Sequence, residues 1–407
     1  MSNYERSSSS ASIERVPAAD GARIACKRKA TDGPPVIFVH GLAVNADLWD
    51  IPELDTADGR FRCLPALLHE LDYDIWLVNL RGHGAPHMLS EPPPGQDDWC
   101  VDHFVHFDLP AVVEHVLRRT GRRPMLVANS MGAMTAAGWL QGAVLTDNAG
   151  EPCIRNEPAE AARRQALLAG CVLLEFPAAL RWPTALYDEA GNLCWRELVS
   201  GAGLNPSQAN FPFELLANAG WLQAFVTAAG GVRLDWLRPG EAGWRGRVPP
   251  GMAGALGWID AAVASAAKLL AERFKGARHF SPETFSQGLL HAVDHMKAGV
   301  LMQLGKCVRE RAFVSLLGAP DYRYSEHYEQ IALPTLLVLG GQDRIANAVV
   351  TREAFYDRIR SADKSLFEFP ELAHGELEYT PFATREVYPQ IVQWIRGHEG
   401  SGGRVKS

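Results

Sequence analysis

Short, strongly apolar runs alternate with segments of helical periodicity through the first half of the chain. The runs are residues 35–42, 73–80, 125–127 and 166–176; the first carries His40-Gly41 near its end, and the second leads into Arg81-Gly82-His83-Gly84. Runs this short and this strongly apolar suit strands of a parallel sheet that is covered on both faces. Between them, residues 64–71 and 97–119 read as helices. The second takes its apolar face from Phe104, Phe107, Val112, Val116 and Leu117, and Pro110 predicts a kink or a break into two pieces. Residues 12–17 and 22–29 predict an edge hairpin around Asp20-Gly21. The polar stretch 147–164, with its Gly and Pro, predicts a surface insertion.

The alternation stops after Phe176. Residues 177–329 carry helical patterns at 213–229, 253–274 and 282–304 and hold six tryptophans, at 182, 195, 221, 236, 244 and 258, which predicts a mostly helical cap. The alternation then resumes with a strand at 335–339, a helix at 349–359, a strand at 365–369 and a closing helix at 384–395. The expected fold class is therefore α/β, a mostly parallel sheet flanked by helices, with an inserted cap. Its core comprises 12–176 and 330–397, the cap 177–329, a disordered tail 1–11 and a mobile tail 398–407.

Composition narrows the function classes. At 407 residues the chain exceeds what one hydrophobic core usually serves, which agrees with a core plus a second unit. A net charge of −7 without a basic cluster argues against nucleic acid as a partner. Seven cysteines, scattered and without Cys-x-x-Cys spacing, predict free thiols in a reducing compartment. The polar, Ser-rich start has no apolar segment of the secretory kind. The most apolar long window, 254–270, is interrupted by Asp260 and Lys268, so no stable membrane span is expected and a cytoplasmic location is.

Candidate chemistry centres on residues 125–133, Met-Leu-Val-Ala-Asn-Ser-Met-Gly-Ala. A buried strand runs into a sharp turn at Ser130, and an Ala-rich helix follows. Small residues two before and two after the serine, Ala128 and Gly132, let strand and helix approach closely enough to project the hydroxyl. A serine hydroxyl needs a base during attack, and imidazole can take that proton and return it to the leaving group. A carboxylate on the far ring nitrogen fixes the tautomer, and spoiling it costs on the order of 10⁴ in rate in a serine protease. The two strands after the cap lead into Gly340-Gly341-Gln342-Asp343 and Ala373-His374-Gly375, which supply an acid and a base. The amide of Met131, at the helix start, and that of Leu42, after His40-Gly41, are the candidate oxyanion donors.

Five motifs together resemble the α/β-hydrolase superfamily. They are His40-Gly41-Leu42, Arg81-Gly82-His83-Gly84, Ala128-Asn129-Ser130-Met131-Gly132, Gly341-Gln342-Asp343 and Ala373-His374-Gly375. Within it, Trp76-Leu77-Val78-Asn79 running into Arg81-Gly82, Asp108-Leu109-Pro110-Ala111, Gly340-Gly341-Gln342-Asp343 and Glu386-Val387-Tyr388 look like the acid-lipase branch. The resemblance covers 12–176 and 330–397, and it departs from the pattern at Ala128, where the usual residue is Gly. It implies a cap inserted after the sixth strand and the chain order Ser130, Asp343, His374 for nucleophile, acid and base. The expected activity is serine hydrolysis of a carboxylic ester or thioester through an acyl-enzyme, with no cofactor, no metal and a small-molecule or lipid-like acyl substrate. An acyltransferase using the same triad and a non-catalytic ligand-binding member of the fold are the alternatives, and Ser130 argues against the aspartate nucleophile of related dehalogenases.

Plainer roles compete at several positions. Ser130 can be a helix N-cap, and Asp343 a turn residue, in which case Glu175 would be the acid. His40 is expected to brace the oxyanion loop, and His83 and His87 to lie in loops near the mouth. His291 and His295, four apart, would share one helix face, but Ala292 stands where a zinc motif has Glu.

Overall fold

The eight apolar and hairpin segments pair into one sheet. A computed structural model describes residues 11–148, 150–181, 231–232 and 279–399. Its strands are β1 (Ala11–Pro17), β2 (Arg23–Lys29), β3 (Pro35–Val39), β4 (Asp74–Val78), β5 (Met125–Asn129), β6 (Gly170–Leu174), β7 (Thr335–Gly340) and β8 (Lys364–Phe369). They lie side by side in the order β1-β2-β4-β3-β5-β6-β7-β8. The β1–β2 and β2–β4 pairs are antiparallel and the others parallel, so the sheet is mostly parallel, as expected.

The period-2 alternation of side chains explains why the central strands are apolar throughout. Ile37, Val39, Val78, Leu126, Ala128, Leu173 and Leu337 face one core, which is covered by the helices α2 (Leu109–Thr120) and α3 (Met131–Leu140). Val36, Phe38, Leu77, Val127, Leu174 and Val338 face the other, covered by α1 (Leu64–Glu70) and by the closing helix Tyr388–Gly397. Both faces are shielded, so neither alternation partner can be polar.

Pro110 does not split its helix. The chain is helical from Val101 to Thr120, and Phe104–Asp108 widen into a π turn immediately before Leu109. Proline has no amide to donate, and the wider turn absorbs that gap without ending the helix. Within 147–164 the chain forms the hairpin Ala143–Asn148 with Glu151–Asn156, followed by α4 (Pro158–Gln165), so the predicted insertion has regular structure.

The expected cap lies largely outside the described residues, including the patterns at 213–229 and 253–274 and all six tryptophans. The described stretch 279–329 corrects one expectation. The pattern at 282–304 is not a single helix but α5 (Pro282–Gln287), a π turn Gly288–Ala292, an extended break at Val293, and then α6 (Ala298–Glu310). His291 and His295 flank that break and do not share a helix face. Among the described residues no helix is long and apolar enough to cross a membrane.

Gly132 shows how tightly α3 is set against β3. A β-carbon there would lie 2.6 Å from the His40 carbonyl oxygen and 2.8 Å from that of Val39, both backbone atoms that cannot step aside. Gly132→Ala is expected to cost about 1–3 kcal/mol by overpacking. Gly397→Ala, where a β-carbon meets nothing within 4 Å, is expected to leave stability unchanged or slightly raised. Thermal unfolding of the two variants checks this, and equal stability would contradict the close approach.

Candidate active site

Every candidate side chain sits just beyond the carboxyl end of a parallel strand, where open α/β sheets collect their reactive groups. Ser130 follows β5 directly. Its backbone has φ 51° and ψ −120°, a region an L-residue enters only when its surroundings force it. The force is visible. The Ser130 amide donates to the Leu174 carbonyl at 2.9 Å, while α3 is held against β3 through Gly132. Ser130 offers no side-chain cap to α3, so the N-cap role does not explain it.

His374 comes from the loop after β8 and Asp343 from the loop after β7. Their loops can meet because Gly340 and Gly341 let backbone pass backbone. A β-carbon on either would lie 2.4 Å from Leu372 O or 2.6 Å from Pro370 O. His374 Nδ1 is 2.8 Å from Asp343 Oδ2, and Nε2 is 2.9 Å from Ser130 Oγ. A carboxylate on Nδ1 requires the proton there, so Nε2 is left as the acceptor for the serine hydroxyl. The second oxygen of Asp343 accepts from the amides of Ile345 and Ala346 at 2.7 and 2.8 Å, which locks its rotamer. All three groups are buried, with Ser130 retaining 7% exposure.

A second carboxylate shares the imidazole. Glu175 ends β6 as Ser130 ends β5, also at positive φ (49°), and its Oε2 lies 3.6 Å from His374 Nδ1. The carboxylate accepts from the Gly375 amide, at 2.7 and 2.6 Å, and from that of Leu377 at 3.3 Å. It therefore holds the loop that carries the histidine. Burial, Glu378 and Asp343 push its carboxyl well above the usual range, against His374 and the Gly375 amide. Asp343 lies nearer the ring than Glu175, at 2.8 against 3.6 Å.

The loop after β3 lies against the serine. A β-carbon on Gly41 would meet Ser130 Cβ at 3.0 Å. The His40 ring accepts at Nε2 from the Leu80 amide (3.1 Å), which leaves Nδ1–H to donate to the Gly41 carbonyl at 2.8 Å. That carbonyl and the Leu42 amide belong to one trans peptide and point opposite ways, so His40 sets the direction of the Leu42 N–H. Burial and the neighbouring His83 ring push the His40 pKa down to about 3, so it serves as a neutral brace, as expected. The Met131 amide opens α3, where helix N–H groups have no intrahelical partner.

Two of the lipase-like stretches turn out to be halves of one contact. Arg81, fully buried, donates from Nε and Nη2 to Asp108 Oδ1 at 2.9 and 2.6 Å and from its amide to Oδ2 at 2.9 Å. The pair fixes the loop after β4 to the start of α2. His83 is buried and stacks on His295, whereas His87 is exposed on a short turn. Neither touches the Ser130–His374 pair.

Known proteins share these features in parts. Residues 34–144 match a family model described as the alpha/beta hydrolase fold, and residues 250–378 match one described as serine aminopeptidase, S33. Over 94% of this chain and 98% of the other, the fold is similar to that of an esterase from Exiguobacterium antarcticum, with a TM-score of 0.52 and 16% identity. The chain has the α/β-hydrolase fold. Shorter stretches of the chain are similar to curated lipases. It is 33% identical over 115 residues to a probable lipase of Schizosaccharomyces pombe, across 28% of this chain and 22% of that protein. It is likewise 33% identical over 105 residues to the gastric triacylglycerol lipase of Bos taurus, across 24% of each. The chain thus spans less than a quarter of the length of either relative.

Sequence reasoning missed two acidic groups around this site. Glu376 accepts from the Ala373 amide at 2.8 Å and pins the loop on the other side of His374; its place two residues after the histidine was the available signal. Asp294 accepts from Asn45 Nδ2, in the loop after β3, from 249 positions away, and nothing local marks it.

Glu175 makes stability depend on pH with a definite sign. Its pKa is raised on folding, so the folded protein holds this proton more tightly than the unfolded chain does. Its contribution is present at low pH and falls as pH rises above the ordinary carboxyl value of 4.5. Glu175→Gln cannot ionise and escapes that loss, so its stability relative to wild type should improve between about pH 5 and about pH 8. Denaturant unfolding at both pH values checks it; a difference independent of pH would contradict it.

Proposed function

We propose that this protein is a serine hydrolase that cleaves a carboxylic ester or thioester of a small or lipid-like acyl substrate. One observation carries the reading: His374 bridges Ser130 Oγ at 2.9 Å and Asp343 Oδ2 at 2.8 Å inside a buried site. In the proposed cycle, Ser130 Oγ attacks the acyl carbon as its proton moves to His374 Nε2, and Asp343 stabilises the imidazolium. The carbonyl oxygen gains negative charge facing the amides of Met131 and Leu42, which need no reorganisation to receive it. Collapse expels the alcohol or thiol, which takes its proton from His374. Water then attacks the acyl-enzyme with His374 again as base, and the serine is released. Proton transfers and acyl exchange at these groups complete the cycle, and no cofactor enters it.

The lipase names of the curated relatives support an ester-type substrate, and the brace that His40 gives the Leu42 peptide supports that amide as a donor. Turnover of p-nitrophenyl esters and acyl-thioesters of graded chain length tests the proposal. Wild type should hydrolyse at least one series, and Ser130→Ala should lose at least about 10⁴-fold in kcat. Equal turnover by the variant would overturn the serine mechanism. Product that forms only when an alcohol or amine acceptor is added would replace hydrolysis with acyl transfer.

A further inference from the structure

The oxyanion loop is held from two sides, and only one belongs to the strand it leaves. His40 sets the Gly41–Leu42 peptide from below. The peptides that follow are tied to the chain returning from the insertion between β6 and β7. The Asp294 amide donates to Ala43 O and the Asn45 amide to Ala292 O, both at 2.9 Å, around an antiparallel bridge of Val44 with Val293. Ala43, between the two anchors, sits at φ 64°, a conformation an alanine keeps only under restraint.

The Asp294 side chain completes the tie. Its Oδ2 accepts from the Gly84 amide at 2.8 Å and from Asn45 Nδ2 at 3.1 Å. Its Oδ1 accepts from the His295 amide at 2.8 Å and faces His295 Nδ1 at 2.9 Å. One buried carboxylate thus joins the oxyanion loop, the loop after β4 and the returning chain. Burial works against its charge, yet the His295 and Gly84 hydrogen bonds and the nearby His83 hold it well below the usual carboxylate range. Four donors converge on it, so removing it leaves the Gly84 amide and the Asn45 amide group without their acceptor.

We propose that Asp294 is a positioning residue for the oxyanion loop, acting through Gly84, Asn45 and Ala43 to hold the Leu42 amide at the reacting carbonyl. The claim rests on the hydrolase reading only in taking Leu42 as an oxyanion donor. It makes the returning chain part of the machinery that stabilises the transition state.

The test compares wild type, Asp294→Ala and Asp294→Asn, each as the full chain, by amide hydrogen exchange and by kcat and KM for a p-nitrophenyl ester. In Asp294→Ala, exchange across residues 41–47 should speed up by about 10-fold or more while β5 stays protected. In the same variant kcat should fall on the order of 10²-fold with KM nearly unchanged, because a displaced donor is felt mainly in the transition state. Asp294→Asn keeps one oxygen for Gly84 and Asn45 and should fall between the two. It also carries the comparison if the alanine variant does not fold. A folded variant with unchanged exchange at 41–47, or unchanged kcat, would overturn the proposal, and so would a loss of protection spread evenly over the sheet. If wild type itself turns over no ester, the hydrolase reading fails, and the exchange comparison alone decides whether Asp294 holds the loop.

Discussion

The close approach of α3 to β3 at Ser130 is the constraint on which the site depends. Backbone meets backbone there, with only a hydrogen atom at position 132 between the helix and the His40 and Val39 carbonyls. That contact drives the serine into positive φ and turns its hydroxyl out of the sheet. It also puts Gly41 against Ser130, so the serine and the loop after β3 share one small volume. A looser helix would relax the turn and separate the two together. The strain is affordable because both faces of β5 are buried, which leaves the strand and helix nowhere to move.

Around that fixed point the structure converges carboxylates and backbone amides rather than reactive groups alone. Asp343 and Glu175 both face His374 Nδ1, at 2.8 and 3.6 Å, and Glu175 and Glu376 bind amides of the loop that carries the ring. The imidazole is held by its backbone as well as by its ring nitrogen. Arg81 with Asp108, and Asp294 with Gly84 and Asn45, do for the entrance loops what Glu175 does for the histidine loop. In a low-dielectric site such bonded groups fix geometry, and leaving a charged one such as Arg81 or Asp294 unpaired would cost several kcal/mol.

How far this was legible in the sequence follows from the range of each interaction. The apolar runs gave the strands because burial on both sheet faces leaves a local signature, and chain order placed Ser130, Asp343 and His374 beyond three of them. Gly132, Gly340 and Gly341 were visible as small residues, though only the structure shows which backbone atoms demand them. The helix expected across 282–304 failed because its apolar spacing survives the break at Val293, where a bridge to Val44 outweighs local preference. Asp294 was invisible for the same reason. Its partners Asn45 and Gly84 lie more than two hundred positions away, and no local pattern reports such a contact.

Covalent capture tests the central claim, that strain at the turn and a bridging imidazole make Ser130 a nucleophile, most directly. Wild type and the Ser130→Ala and His374→Ala variants would be treated with an alkyl fluorophosphonate, and the adduct located by intact mass and peptide mapping. The account predicts one adduct per chain on the peptide that contains Ser130, much slower labelling without His374, and none without the serine. Labelling at another residue, or no labelling of folded wild type, would contradict it.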